Sequence, residues 1–323
     1  MKKIIFIITF LISIIITIFF SNKFETPDTP CYVAGSRMIF TLPGGADCNF
    51  SMNKPLPLFI AGLFESTTGL HARYGLFAQN LVFYFLSALL LFEIIRKVFK
   101  DKRQALLGAL IFATAPPILI NGLNYATDMS GWFFGILGIY LTLCWMEKFR
   151  KMPAWSFYFG LIMGLGLLFK ESALVAPLFF GIYILLFPLP ANEKIKIIFF
   201  GLIGFIIPIL ISQIITYKYF GYTFLDWYKY NLEKPYGDLY DFKNFIKAVM
   251  GTLHLYWILF FIGLYKIVLS LKNNKMDREI LIFLISSGAS ILFWFIWPYP
   301  MSRTFFLSAP FLVSISSFII YKY

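Results

Sequence analysis

Histidine is almost missing from this chain: His71 and His254 are the only two, and they stand far apart. That excludes a metal centre built on several imidazoles, and no metal or other cofactor is expected. Cysteine is nearly as scarce, with Cys31, Cys48 and Cys144. Cys31 and Cys48 share one loop, where either a disulfide in an oxidising compartment or two unrelated thiols remains open. Charge is thin as well. Only 14% of the 323 residues are charged, against 59% hydrophobic and 20% aromatic, which excludes a soluble globule of ordinary composition. Internal repeats and low-complexity linkers are also lacking, so a solenoid is excluded.

What is present is a series of long apolar runs. A helix that crosses the hydrocarbon needs roughly 17 to 25 mostly apolar residues. Ten stretches approach this, at about 4–20, 76–95, 104–121, 130–146, 155–169, 172–189, 197–218, 248–270, 280–297 and 304–320. The expected fold is therefore an all-α polytopic membrane protein of about ten transmembrane helices. It is read as one integral membrane domain over residues 1–323, with no soluble C-terminal domain. The first run follows Lys2 and Lys3, and Ser21-Asn22-Lys23 offers no small-residue cleavage site. It reads as an uncleaved anchor with a cytoplasmic N-terminus.

A net charge of +12 raises the question of a nucleic-acid partner. Threading the runs from a cytoplasmic N-terminus answers it, because the clusters at Arg96, Lys97, Lys100, Lys102 and Arg103 and at Lys148, Arg150 and Lys151 all fall inside. This is the positive-inside bias, and no nucleic acid is needed to explain it. The same threading places two larger loops outside. Loop one, 21–75, carries two apolar pieces, Cys31–Phe40 and Lys54–Phe64, each too short to span and expected to form short interfacial helices. Loop two, about 219–247, interleaves Trp227, Tyr228, Tyr230, Tyr236 and Tyr240 with Lys229, Glu233, Lys234, Asp238 and Asp241. An aromatic belt alone would not need the charges, so this loop is expected to line a site.

Ionisable groups at the membrane boundary are costly and are therefore functional candidates. The outer half holds Asp28, Tyr32, Arg37, Lys54, Asp128, Lys170, Glu171, Lys234 and Arg303. Pro116-Pro117 must break the third run just before Asp128, which points to irregular backbone lining a hydrated cavity there. Cations around acids suit a lipid-anchored phosphate, whose oxygens accept charge-assisted hydrogen bonds from Lys and Arg.

Five features occur in order: Asp28 four residues before Tyr32; Lys54-Pro55; Tyr125-Ala-Thr-Asp128-Met129; the hairpin Leu165-Gly-Leu-Leu-Phe-Lys170-Glu-Ser-Ala-Leu-Val-Ala-Pro177; and Arg303-Thr-Phe-Phe-Leu-Ser-Ala-Pro310. Together they resemble the GT-C glycosyltransferases of the protein O-mannosyltransferase and lipid A aminoarabinose transferase type. The resemblance implies a GT-C-like bundle in a prokaryotic plasma membrane, with its active site on the extracytoplasmic face. It implies transfer of a sugar from a polyprenyl-phosphate donor to a lipid, glycan or protein acceptor, with membrane lipids as surroundings. Asp28 would be the general base and Asp128 a second carboxylate orienting the acceptor or helping the base. Tyr32, Lys54, Lys170, Lys234 and Arg303 would bind the donor phosphate or sugar. The chain departs from the pattern at Thr29, where a second acid is common, and at Asn53, where aminoarabinose transferases have an acid. It also has Asn231 in place of a metal-ligating His and Lys234 in place of an Arg. One base with no opposing nucleophile predicts inversion at the anomeric carbon.

Two other classes compete. A lipid or solute transporter would place acids or broken helices near the bilayer midplane, and the middles of these runs are nearly free of charge. A catalytically degenerate membrane scaffold would tolerate loss of both aspartates.

Overall fold

The computed structural model describes residues 1–20, 24–48, 50–233, 242–296 and 301–320, and the described regular structure is helical throughout. α1 (Lys2–Phe20) is an unbroken apolar run, most of whose large side chains face outward. Such exposure is costly in water and ordinary in lipid. Loop one folds into two short helices where the two apolar pieces were expected. α2 (Thr29–Ile39) starts after Asp28 with a proline in its first turn. Proline is favoured there because the missing N–H would have had no helical partner. α3 (Pro55–Thr68) likewise begins on proline and ends at Gly69, whose φ of 72° is the left-handed C-cap conformation glycine adopts without strain.

Loop one is held by two ties. Cys31 and Cys48 form a disulfide with Cα atoms 5.2 Å apart. Arg37 on α2 grips Glu65 on α3, with Nη2 to Oε1 at 2.7 Å and Nε to both carboxylate oxygens at 3.1 Å. Glu65 Oε2 also accepts the Ala72 N–H at 3.0 Å, at the start of α4 (Ala72–Phe99). Arg37 is thus engaged within loop one rather than in a site.

α5 (Lys102–Thr114) is capped by Asp101, whose carboxylate accepts the N–H groups of Arg103 and Gln104. It stops where the prolines demand it. Ala115 is extended, as the residue before a proline prefers, and a π-helical turn at Ile118–Gly122 follows. Asn80 on α4 then donates to the carbonyls of Asn124 and Ala126, pinning the irregular segment that leads to α6 (Asp128–Lys151).

α7 (Trp155–Phe169) and α8 (Val175–Leu186) are joined by a short 3-10 turn, Glu171–Leu174. α7 packs along α9 (Ala191–Phe220) with backbones nearly touching: a Cβ at Gly160 would lie 2.0 Å from the Gly201 carbonyl oxygen. Small residues at such seams are a usual way for helices to associate in lipid. α10 (Phe224–Glu233) follows. α11 (Phe242–Leu253) and α12 (Tyr256–Lys272) meet at a bend of 83°. α13 (Arg278–Gly288), the single turns α14 (Phe293–Ile296) and α15 (Ser302–Phe305), and α16 (Ala309–Ser317) complete the described chain.

The expected ten spans are not what the helices show. Among the described residues, five helices are long and apolar enough to cross a membrane, or six if the bent α11–α12 pair makes one span. The discrepancy is physical. The run at 104–121 is cut short by its prolines, and α7 and the Glu171–Leu186 helix are apolar but shorter than a span. The protein is nonetheless an all-helical integral membrane protein.

Candidate active site

Five of the boundary residues selected from the sequence meet in one cluster, with Lys54 of loop one at its end. Asp128 opens α6, directly after the irregular segment fixed by Asn80. Lys170 follows the last residue of α7 in extended conformation, which carries it out of the helix and toward Asp128. Their side chains lie 3.5 Å apart, Nζ to Oδ1. Arg303, on α15, approaches the other oxygen of Asp128 at 3.5 Å, and Lys54, from loop one, approaches Glu171 Oε2 at 3.3 Å. Glu171 Oε1 lies 3.6 Å from Lys170. One chain of charges therefore runs Lys54, Glu171, Lys170, Asp128, Arg303.

These groups are largely withdrawn from solvent: Lys54, Lys170 and Asp128 are 9%, 8% and 7% exposed. Burial costs a charge several kcal/mol unless it is paired, and the alternation of sign supplies that pairing. Burial alone would lower the Lys170 pKa, but the carboxylates of Asp128 and Glu171 outweigh it and hold the ammonium well above its ordinary range. Burial alone would raise the Glu171 carboxyl, yet Lys170 and Lys54 bring it down to about 2. The pairing is incomplete, since Asp128 Oδ2 and Glu171 Oε2 accept no hydrogen bond among the described residues.

A cavity of about 170 Å³ opens on this network, lined among others by Asp128, Trp132, Lys170, Glu171, Tyr228 and Arg303. Trp132 stands one helical turn after Asp128 on the same face of α6. Loop two closes the opposite wall through Phe224 and Tyr228, and the Lys54 ammonium sits 5.2 Å from the Trp227 ring. Tyr222, at the head of loop two, donates its hydroxyl proton to Asp47 of loop one, and its ring packs against Phe50. The two loops are therefore docked on each other at the site.

A second, apolar groove of about 450 Å³ lies beside Lys54, between α7 and α9, lined among others by Met52, Pro55, Leu165, Pro208, Ile211 and Phe220. Met52 and Pro55 bracket Lys54 in sequence, so one end of the groove lies next to the Lys54 backbone.

The remaining candidates divide. Tyr32 is buried on α2 within loop one, its ring 5.9 Å from the Lys54 ammonium and its hydroxyl within electrostatic reach of Lys170 and Arg303. Asp28 stands just before α2, half-buried and with no capping hydrogen bond from its side chain, and is within electrostatic reach of Arg303 without an ion pair to it. Lys234 lies outside the described residues. Glu171 belonged to the boundary set without a role, yet it bridges both lysines. Its signal was its place beside Lys170 at a tight helical turn.

A family model described as dolichyl-phosphate-mannose-protein mannosyltransferase matches residues 53–217, from the residue before Lys54 to the last turn of α9. No curated protein matches the sequence. Among solved structures, ArnT from Cupriavidus metallidurans bound to undecaprenyl phosphate is similar at a TM-score of 0.70 and 15% identity, covering 96% of this chain and 59% of that one. The oligosaccharyltransferase of Archaeoglobus fulgidus in its apo form is similar at 0.64 and 14% identity, covering 98% and 50%. The AglB oligosaccharyltransferase of the same organism, in complex with an inhibitory peptide and a dolichol-phosphate, is similar at 0.62 and 13% identity, covering 98% and 50%. The chain thus spans 50% to 59% of the length of these structures. The fold is GT-C-like, and since the family model matches more than half of the sequence, the chain belongs to the dolichyl-phosphate-mannose-protein mannosyltransferase family.

Proposed function

We propose that the protein is a membrane glycosyltransferase that moves a sugar from a polyprenyl-phosphate donor to an acceptor at the extracytoplasmic face. One observation carries this: a buried network rich in cations lines a cavity and adjoins an apolar groove, an arrangement suited to a phosphate with a hydrocarbon tail. The solved structures with undecaprenyl phosphate and dolichol-phosphate support the donor class. The Cys31–Cys48 disulfide in loop one supports an oxidising, extracytoplasmic side.

In this scheme the isoprenoid tail occupies the groove between α7 and α9. Lys54, Lys170 and Arg303 face the phosphate, Tyr32 supports Lys54 from beneath, and Lys234 is a further cation from loop two. Asp28 takes the proton of the acceptor hydroxyl or amine while the acceptor's lone pair forms a bond to the sugar C1. The bond from C1 to the phosphate oxygen breaks, and its electron pair stays on that oxygen. Charge therefore builds on the phosphate as the barrier is crossed, where fixed cations stabilise it most, and the scheme assigns that task to the three side chains rather than to a metal. Asp128 orients the acceptor and keeps Lys170 and Arg303 in place. A single displacement inverts the anomeric configuration.

Purified protein supplied with polyprenyl phosphates bearing different labelled sugars, together with a membrane extract as acceptor, tests the proposal. Transfer of label and release of the lipid phosphate are expected for one donor class. Substrate movement across liposomes with no glycosyl product would instead establish a transporter. A product that keeps the donor's anomeric configuration would rule out single displacement.

A further inference from the structure

Glu171 is the member of the network whose position the transfer scheme leaves unused. Its two oxygens are divided between two lysines from distant parts of the chain, Oε2 toward Lys54 and Oε1 toward Lys170. The contact with Oε2 is an ion pair at 3.3 Å, and that with Oε1 at 3.6 Å is longer than a hydrogen bond. Lys54, Lys170 and Arg303 set against Asp128 and Glu171 leave the network with one net positive charge.

That balance distinguishes the two lipid phosphates of the reaction. The donor is a phosphodiester with one negative charge. The product, left when the C1–O electron pair stays on phosphate, is a phosphomonoester whose second ionisation has a pKa near 6, so it carries close to two charges at pH 7. We propose that Glu171 tunes the site to the phosphodiester, so that the lipid phosphomonoester formed by transfer is left with an unbalanced charge and departs. This rests on the glycosyl-transfer reading above. Asp28, anionic when the donor binds, takes up the acceptor proton as the phosphate gains its second charge, so transfer itself leaves the total unchanged. The imbalance appears once Asp28 releases that proton and its negative charge again stands within electrostatic reach of Arg303. Glu171 is accordingly a positioning and specificity residue that touches the lysines rather than the reacting atoms.

The test compares two probes with one tail, geranylgeranyl phosphate and its methyl phosphodiester, bound to the full-length protein in lipid nanodiscs. The wild-type protein is expected to bind the diester at least as tightly as the monoester. Glu171→Gln keeps the shape and removes the charge. It is expected to shift the affinity ratio toward the monoester by on the order of tenfold to a hundredfold, the reach of one unit charge in a partly wetted cavity. With a turning-over donor, the same variant should show a lower kcat, an unchanged or lower donor KM and stronger inhibition by the monoester. Glu171→Asp should restore the ratio, which a purely structural role for the side chain would not predict. An unchanged ratio in Glu171→Gln overturns the assignment. So does a wild-type preference for the monoester of tenfold or more, a result that needs no variant to fold. If the wild-type protein binds neither probe, the transfer reading itself fails.

Discussion

Two clusters of the same residue types, both buried or half-buried, are built to different standards. At the foot of loop one, the Arg37 guanidinium meets Glu65 at 2.7 to 3.1 Å with two of its nitrogens, and the Ala72 N–H completes the carboxylate at 3.0 Å. At the cavity, the separations along Lys54, Glu171, Lys170, Asp128 and Arg303 are 3.3 to 3.6 Å, and an oxygen on each acid accepts no hydrogen bond among the described residues. A bidentate pair with its last lone pairs served by backbone is complete and gains nothing from a ligand. Charges held near each other but short of full hydrogen bonding are stabilised further by a third party carrying its own charge and lone pairs. The contrast separates a structural clamp from a binding site without reference to any relative.

The strongest way to break that contrast is to neutralise one acid in each cluster and compare activity with stability. Asp128→Asn removes the carboxylate that holds Lys170 and Arg303, and Asp28→Asn removes the proposed base. Each is expected to lower sugar transfer by about 10²- to 10⁴-fold, the usual worth of a positioned acid or base. The unfolding temperature of Asp28→Asn should stay within a few degrees of wild type, whereas Asp128→Asn should also lower it, because Arg303 loses its carboxylate partner and Lys170 one of two. Normal transfer by either variant would remove that residue from the mechanism.

How much of this was readable beforehand follows from where each signal is stored. Membrane class and helical architecture lie in composition and in runs of apolar residues, and both were legible. The count of spans was not: the break at Pro116-Pro117 was readable, but not that it would end the helix at Thr114, short of a span, nor that α11 and α12 meet at 83°. Lys54, Asp128, Lys170 and Arg303 could be selected singly, since each is a charge at the edge of an apolar run. Their meeting is a long-range contact that no local pattern encodes. Glu171 shows the limit most clearly: its place beside Lys170 marked it as a boundary charge, but its role depends on the contact with Lys54, more than a hundred residues away in the chain. Arg37 shows the converse, a boundary cation whose partner Glu65 lies two helices' ends away and absorbs it.

The clamp sharpens the comparison from the other side. Glu65→Gln keeps the volume but removes the charge that Arg37 and the Ala72 N–H address. A loss of about 1 to 3 kcal/mol is expected, the range for a hydrogen-bonded charged group that loses its partner's charge. Thermal unfolding in nanodiscs would read this. Transfer per folded molecule should fall by no more than a few-fold, because Glu65 lines neither the cavity nor the apolar groove. A drop as deep as that of Asp128→Asn, with stability unchanged, would reverse the two assignments.

The smallest effect expected is also the most specific to the clamp, because it depends on pH. The hydrogen bonds from Arg37 hold the Glu65 carboxyl below its ordinary value of 4.5, and the Ala72 N–H and the Arg37 charge assist against the opposing effect of burial. A carboxyl whose pKa is depressed in the folded state binds protons less readily there than in the unfolded chain. Its contribution to stability is therefore fully present above pH 4.5 and is lost as pH falls through the lowered value. The difference in unfolding temperature between the wild-type protein and Glu65→Gln should accordingly be constant from pH 7 to about 5 and shrink below that. Arg37 stays charged throughout this range, but His71 is charge-coupled to Glu65, so the comparison is made in a His71→Gln background, where the shrinkage reports Glu65. A gap that widened on acidification would mean that Glu65 is protonated in the folded protein, and the pair would then be no clamp.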